Sequence, residues 1–239
     1  MIYPRIIAHR CGGALAPENT LAGLNLAARL GCRGVEFDVM LAADGVPVLI
    51  HDETLERTTS GQGRVADASS AELAMLDAGS RHHPAFAAEP VPTLEEALRR
   101  CTALGLWANV EIKPSAGQDA ETGRAVARLA AAAGGKLLLS SFSSVALRAA
   151  ADEAARLPRA VLVGAIEADW RERIAAAEAC ALHCAARDLA VARLEDVRAA
   201  GFPLACYTVN RRDDAERLCA MGVSAVFTDR PDLWTASEM

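Results

Sequence analysis

Apolar residues follow two rhythms along the chain. Short runs such as Ile6-Ile7-Ala8, Val35-Glu36-Phe37-Asp38-Val39 and Val48-Leu49-Ile50 read as buried β-strands. Between them apolar positions recur at helical spacing, as in Leu21, Leu24, Ala28 and Leu30 ahead of the stop signal Gly31. The pattern predicts strands over 5–8, 34–40, 46–50, 106–112, 136–141, 160–164, 180–184, 203–207 and 224–227. It predicts helices near 18–31, 93–104, 119–133, 143–155, 169–178, 189–200 and 211–221. Thr93-Leu94-Glu95-Glu96 has the form of a capping box, and Pro231-Asp232 suggests a short closing turn or helix.

Alternating strands and amphipathic helices imply parallel βα units. Eight such units in 239 residues predict an α/β fold of the (β/α)8 TIM-barrel type, one catalytic domain over 1–239. The ninth strand is accounted for by Ala43-Asp44-Gly45, a turn that folds 34–40 and 46–50 into a hairpin. An open doubly wound sheet is the alternative, but the chain has no Gly-rich nucleotide fingerprint. Residues 53–91 break the rhythm with Thr58-Thr59-Ser60-Gly61-Gln62-Gly63 and Ser69-Ser70, loops around one short helix near 70–76. This stretch reads as a small insertion after strand two, placed to cover a site at the strand ends.

Composition narrows the function classes. Hydrophobic residues are 52% of the chain and aromatics only 4%, which predicts a large core rich in alanine and leucine. The net charge of −6 gives no basic footprint for nucleic acid. Seven cysteines, an odd number in a chain of ordinary domain size, do not make a disulfide framework. No stretch is long and apolar enough to insert stably in a membrane, and Met1-Ile2-Tyr3-Pro4-Arg5 runs into the first strand without a leader pattern. These features predict a cytoplasmic protein, and nothing in the sequence supports a homo-oligomer.

The chemistry lies where charged residues interrupt or end the strands. Glu36 and Asp38 are two apart on one strand and share a face, which in a barrel is the interior. Neighbouring carboxylates repel unless a cation joins them, and hard oxygen donors favour Mg²⁺ or Ca²⁺. Glu111 and Lys113 repeat the spacing and offer a third carboxylate and a positive charge. Internal salt bridges are the plainer explanation of any one pair. The two histidines at strand ends tip the balance towards a metal site. His9 and His51 form a candidate proton-transfer pair. Arg10 suits a planar, bidentate grip on a phosphate, and Gly12-Gly13 lets the backbone approach a ligand. His183 reads as an ordinary core or surface histidine, and His82 and His83 as solvent-facing. Cys180 and Cys184 read as small buried residues of one strand, because no second pair follows at zinc-finger distance.

His9-Arg10, Pro17-Glu18-Asn19-Thr20, Glu36-x-Asp38, His51-Asp52-x-Thr54-Leu55-x-Arg57-Thr58-Thr59, Pro92-Thr93-Leu94-Glu95-Glu96 and Glu111-Ile112-Lys113 stand in order along the chain. The set resembles the glycerophosphodiester phosphodiesterase family, in its short bacterial cytosolic form, from residue 5 to about residue 230. The resemblance implies a (β/α)8 barrel with an inserted subdomain after strand two. It implies one divalent cation, Mg²⁺, Ca²⁺ or Mn²⁺, on Glu36, Asp38 and Glu111. It implies His9 and His51 as general acid and base, and Arg10 and Lys113 as phosphate ligands. The implied reaction turns a small-molecule glycerophosphodiester, such as glycerophosphocholine or glycerophosphoethanolamine, into sn-glycerol 3-phosphate and an alcohol. A lysophospholipase D-type reaction fits less well, because the insertion carries Arg57, Arg64, Arg81, His82 and His83 rather than a long apolar stretch. A non-catalytic phosphodiester-binding protein would have no use for two histidines. Two departures stand out: Cys11 where the family usually has glycine, and Tyr207 where many members have tryptophan. Tyr207 and Phe142 are candidate contacts for the glycerol backbone, or plain barrel-rim aromatics.

Overall fold

Parallel pairing runs through the chain as the βα alternation requires. In the computed structural model, which describes residues 3–234, nine strands form one sheet: β1 (Ile6–Ala8), β2 (Gly34–Leu41), β3 (Pro47–Leu49), β4 (Trp107–Ile112), β5 (Leu137–Ser141), β6 (Arg159–Val163), β7 (Ala181–Ala185), β8 (Leu204–Tyr207) and β9 (Ala225–Thr228). The order is β1-β9-β8-β7-β6-β5-β4-β2-β3, and a β1–β2 pairing closes eight parallel strands into a barrel. β3 lies outside the ring, antiparallel to β2 with Val39 opposite Leu49, as the Asp44-Gly45 turn predicts. Closure abolishes free edges in the ring.

Helices α1 (Leu21–Leu30), α3 (Leu94–Leu104), α4 (Asp119–Ala133), α5 (Ser144–Glu153), α6 (Trp170–Ala176), α7 (Val191–Ala199) and α8 (Arg212–Ala220) connect successive barrel strands. A 3-10 turn over Pro231–Leu233 follows β9. The first helix starts at Leu21, the first residue of its apolar face and three residues later than the stretch predicted near 18–31. Thr20 is its N-cap, with the side chain accepting from the Gly23 N–H at 3.1 Å. α3 opens on the expected capping box between Thr93 and Glu96.

Period-two alternation divides the strand residues between two cores. Val35, Phe37 and Val39 of β2 face the helices and join the main cluster with Leu24, Leu94 and Leu98. Each such fully buried side chain contributes about 1.5–3 kcal/mol. Ile7, Trp107, Leu138 and Phe227 face the barrel axis with Ala160, Ala181, Ala205 and Ala225. Four alanines leave room at the base. Tyr3 fills it from the N-terminal segment, its ring 5.4 Å from that of Trp107.

Between β3 and α3 the chain makes α2 (Ser70–Ala74) and short 3-10 turns. Leu55, Val65, Leu73 and Val91 pack there against Met40, Val48 and Ile50, a third apolar cluster that fixes the segment to the β2–β3 hairpin. One expectation fails. Cys180 lies before β7 and is exposed, whereas Cys184 within the strand is buried. The strand starts one residue late, so Cys180 escapes the layer that buries Cys184.

Candidate active site

The C-terminal ends of β1, β2, β4 and β9 meet at one mouth of the barrel. The β2–β4 register sets Asp38 directly beside Glu111, and Glu36 sits two residues back on the same face of β2. One carboxylate oxygen from each of the three lies within 4.8 Å of the others. Glu36 and Asp38 are 3% and 2% exposed. Burial, then the neighbouring Asp38 and Glu111 charges, push the Glu36 carboxyl well above its usual range. Burial and Asp38 raise Glu111 to about 8. Without a cation these two groups thus hold protons at neutral pH, because three adjoining charged carboxylates would repel one another, and a bound cation would favour their ionised forms. Glu36 Oε2 accepts from the Arg10 N–H at 2.8 Å, but its buried Oε1 has no partner. An all-oxygen donor set with a spare buried oxygen fits a hard divalent ion.

Two histidines flank this cluster in matching arrangements. His9 follows β1, and the β1–β9 register brings it next to Asp229, whose Oδ1 is 2.7 Å from His9 Nδ1. Asp229 is itself held by Asn210, which donates from Nδ2 to Oδ2 at 2.8 Å. Burial works to raise the Asp229 carboxyl, but the hydrogen bonds of His9 and Asn210 hold it below its usual range. His51 follows β3, with Nδ1 2.6 Å from Asp52 Oδ1. Each Nδ1 thus donates to a carboxylate, which turns each Nε2 inward. His9 Nε2 is 3.8 Å from Glu36 Oε2. His51 Nε2 accepts from Lys113 Nζ. Burial, more than any charge, lowers the His51 pKa, so its imidazole is neutral near pH 7.

The cations are held by a ring of carboxylates. Lys113 Nζ is 3.8 Å from Asp38 Oδ1, and Arg10 Nε is 3.7 Å from Asp38 Oδ2. Arg10 also donates to Glu18 at 3.1 Å. Arg57 from the segment after β3 donates twice to Glu18, at 2.7 and 2.8 Å, and through Nε to Asp52. Asn19 exchanges two hydrogen bonds with Asp38, donating to Oδ2 at 2.9 Å and accepting from the Asp38 N–H at 3.0 Å. It does so at φ 57°, a left-handed conformation that asparagine tolerates.

The turn after β1 is tightly wound. Arg10, Cys11 and Gly13 have φ of 49°, 76° and 62°. A Cβ on Gly13 would stand 2.4 Å from the Asp229 carbonyl oxygen, so only glycine fits there. Cys11 keeps the left-handed conformation at an intrinsic cost of about 1–2 kcal/mol for an L-residue. Its side chain fits because α1 presents Gly23, where a Cβ would lie 2.8 Å from the Cys11 Cβ. Burial pushes the Cys11 thiol well up, so it is a packing group rather than a nucleophile.

A cavity of about 260 Å³ opens above these groups, lined also by Phe142, Tyr207, Leu162, Phe227, Asn109 and His183. Phe142 and Tyr207 meet edge to face, with ring centroids 6.2 Å apart. The Tyr207 hydroxyl donates to the Val163 carbonyl at 2.7 Å, so the side chain offers the cavity its ring rather than its oxygen. All nine residues singled out from the sequence, His9, His51, Arg10, Lys113, Glu36, Asp38, Glu111, Tyr207 and Phe142, line this one cavity.

Other residues were not given a role from the sequence. Asp52 and Asp229 orient the histidines, and Glu18, Asn19 and Arg57 support Arg10 and Asp38. Asp229 was the harder to read. Its signal was a carboxylate directly after the last strand, which closure of the barrel returns to the first. His183 sits fully buried inside the barrel at the cavity floor, and not in the outer core.

Comparison with known proteins agrees with this geometry. The family model described as "Glycerophosphoryl diester phosphodiesterase family" matches residues 9–233. A glycerophosphodiester phosphodiesterase from Caldanaerobacter subterraneus subsp. tengcongensis is 34% identical, over 95% of this chain and 94% of its own. Among solved structures, an Oleispira antarctica phosphodiesterase in complex with the product sn-glycerol-3-phosphate superposes with a TM-score of 0.93. It is 38% identical, over 96% of this chain and 94% of that one. A glycerophosphodiester phosphodiesterase from Thermotoga maritima superposes with a TM-score of 0.76 at 25% identity, over 98% of this chain and 97% of that one. With its barrel, its cluster of carboxylates and these relatives, the chain belongs to the glycerophosphoryl diester phosphodiesterase family and is an enzyme of that class.

Proposed function

We propose that the enzyme hydrolyses glycerophosphodiesters such as glycerophosphocholine and glycerophosphoethanolamine to sn-glycerol 3-phosphate and the free alcohol. The observation that carries this reading is the pair of histidines, each braced by an aspartate at Nδ1 and directed by Nε2 towards a three-carboxylate cluster. The product bound by the Oleispira antarctica relative supports the choice of substrate.

Glu36, Asp38 and Glu111 would hold one divalent cation, Mg²⁺, Ca²⁺ or Mn²⁺. When bound, such an ion draws charge from phosphoryl oxygens as a Lewis acid. Arg10 supplies a planar guanidinium and Lys113 a point charge, and together they orient the phosphate and stabilise the charge that grows on it in the transition state. One imidazole Nε2 takes the proton from the attacking oxygen, either water or the glycerol 2-hydroxyl. The other enters the step as imidazolium, protonated on both nitrogens, and gives its Nε2 proton to the departing head-group oxygen as its bond to phosphorus breaks. The aspartates hold Nδ1 protonated and both rings in orientation throughout. Phe142 and Tyr207 offer apolar ring surface to the glycerol carbons. The segment 53–91 acts as an inserted subdomain whose contribution to the site is Arg57.

A coupled assay for glycerol 3-phosphate tests the scheme. His9→Ala and His51→Ala are each expected to lose about 10²–10⁴-fold in kcat, and Glu36→Ala to lose nearly all turnover, with melting curves still cooperative. Wild-type-like release from any of the three removes that residue from the mechanism. Full activity after dialysis against excess EDTA would remove the cation.

A further inference from the structure

The cavity floor holds two buried polar side chains, each with an atom left over. Asn109 and His183 are 1% and 0% exposed. Asn109 Nδ2 donates to Ser140 Oγ at 2.9 Å, and its Oδ1 has no partner. His183 Nε2 meets the Tyr3 hydroxyl at 3.0 Å, and its Nδ1 has no partner. Native interiors rarely leave such atoms unsatisfied, and both side chains line the cavity.

The polarity of the two atoms follows from their neighbours. His183 is the only hydrogen-bond partner of the Tyr3 hydroxyl among the described residues. If the phenol donates to Nε2, no proton on Tyr3 is stranded, and the imidazole proton moves to Nδ1. Burial lowers the His183 pKa to about 3, so the ring is neutral. The floor therefore presents one donor, His183 Nδ1–H, and one acceptor, Asn109 Oδ1. A hydroxyl can accept from the one and donate to the other, whereas a phosphate oxygen can only accept and an ammonium can only donate.

The depth also fits. Asn109 lies two residues before Glu111 on β4 and faces the same way, about 6–7 Å along the strand. That step is the reach of a three-carbon chain from a phosphate held at the mouth. Leu162 and Phe227 give the chain apolar walls on the way down. We propose that Asn109 and His183 form a hydroxyl subsite that binds the C1 hydroxyl of the glycerol moiety and so selects glycerol as the alcohol retained on phosphate. The proposal rests on the glycerophosphodiester reading above and adds the residues that recognise the glycerol end.

The test compares glycerophosphocholine with the propane-1,2-diol ester of phosphocholine, which lacks only the C1 hydroxyl. Both keep the 2-hydroxyl and the leaving group. Wild-type enzyme is expected to prefer the glycerol ester in kcat/KM by roughly 10- to 100-fold. In His183→Leu and Asn109→Leu the preference should fall towards parity. Equal use of both esters by the wild type overturns the subsite and leaves the phosphodiesterase reading standing, the floor then holding only water. Turnover of neither ester overturns both. An unchanged preference in variants that melt cooperatively assigns the discrimination elsewhere and overturns the subsite. The wild-type arm needs no variant to fold.

Discussion

Single residues in this site act in pairs, and the pairing decides what each can do. His9 without Asp229 would be free to rotate and to place its proton on either nitrogen. Asp229→Asn keeps the size of the side chain, but its amide can donate to Nδ1 and favour the wrong tautomer. We expect kcat to fall on the order of 10²-fold or more with little change in KM or in melting temperature. A drop in KM-governed binding alone would show that Asp229 serves the fold of the β9 end rather than the imidazole. Asp52 stands in the same relation to His51. Its carboxyl is held well below the usual range, chiefly by the Arg57 hydrogen bond. The carboxylate therefore persists as an acceptor across the working pH range.

At the scale of elements, the turn after β1 and the first helix are fitted to each other. Cys11 is accommodated in a left-handed conformation because Gly23 presents no side chain to it. Gly23→Ala is expected to cost about 1–3 kcal/mol through this contact, with Gly12 N and the Pro17 carbonyl also close. Cys11→Gly in the same chain should return a measurable part of that loss. A double-mutant cycle by chemical denaturation measures it, and strict additivity would show that the two residues do not couple. Most of the elements were legible in the sequence, because period two and period 3.6 are set by burial on one face. The hairpin of β2 and β3 was legible from Asp44-Gly45. The start of α1 at Leu21 rather than near 18 was not, since Glu18 and Asn19 can stand in a first helical turn but are used here in the site, with Thr20 as the cap. The carboxylate cluster was legible because residues two apart share a face. The depth of His183 was not. Its run, Ala181 to Ala185, has no polar alternation to say which face looks inward.

For the molecule as a whole, the carboxylate cluster sets a debt between stability and function. Glu111, raised to about 8, and Glu36, also raised, keep protons in the folded state that the unfolded chain releases near pH 4.5. The Glu111 contribution is fully present below that pH and is lost as pH rises through about 8, and Glu36 acts in the same sense. His183, lowered to about 3, acts in the opposite sense, its contribution present above pH 6.5 and lost as pH falls. A cation on the carboxylates favours their ionised forms, so its stabilisation should grow with pH. At 100 times its dissociation constant it adds about 2.7 kcal/mol, roughly 5–10 °C in melting temperature for a chain of this size. Differential scanning of EDTA-treated protein, with and without millimolar Mg²⁺ or Ca²⁺, is expected to show a larger rise at pH 8 than at pH 5. An equal rise at both would separate the cation from these carboxylates. No helix among the described residues is long and apolar enough to cross a membrane.

Arg57 bears on how such an enzyme can change its substrate range. Its guanidinium ties Asp52 to Glu18, and Glu18 in turn holds Arg10. Two loops that are distant in sequence are thereby locked into one unit around the Arg10 side of the cavity. Neither can be exchanged for a homologous loop alone without stranding a charge in the other. Loop grafting, in nature or in the laboratory, must move 17–20 and 51–58 as a pair. The wall with Phe142 and Tyr207 is joined instead by a ring contact and the Tyr207–Val163 hydrogen bond, so no charge is stranded when it changes.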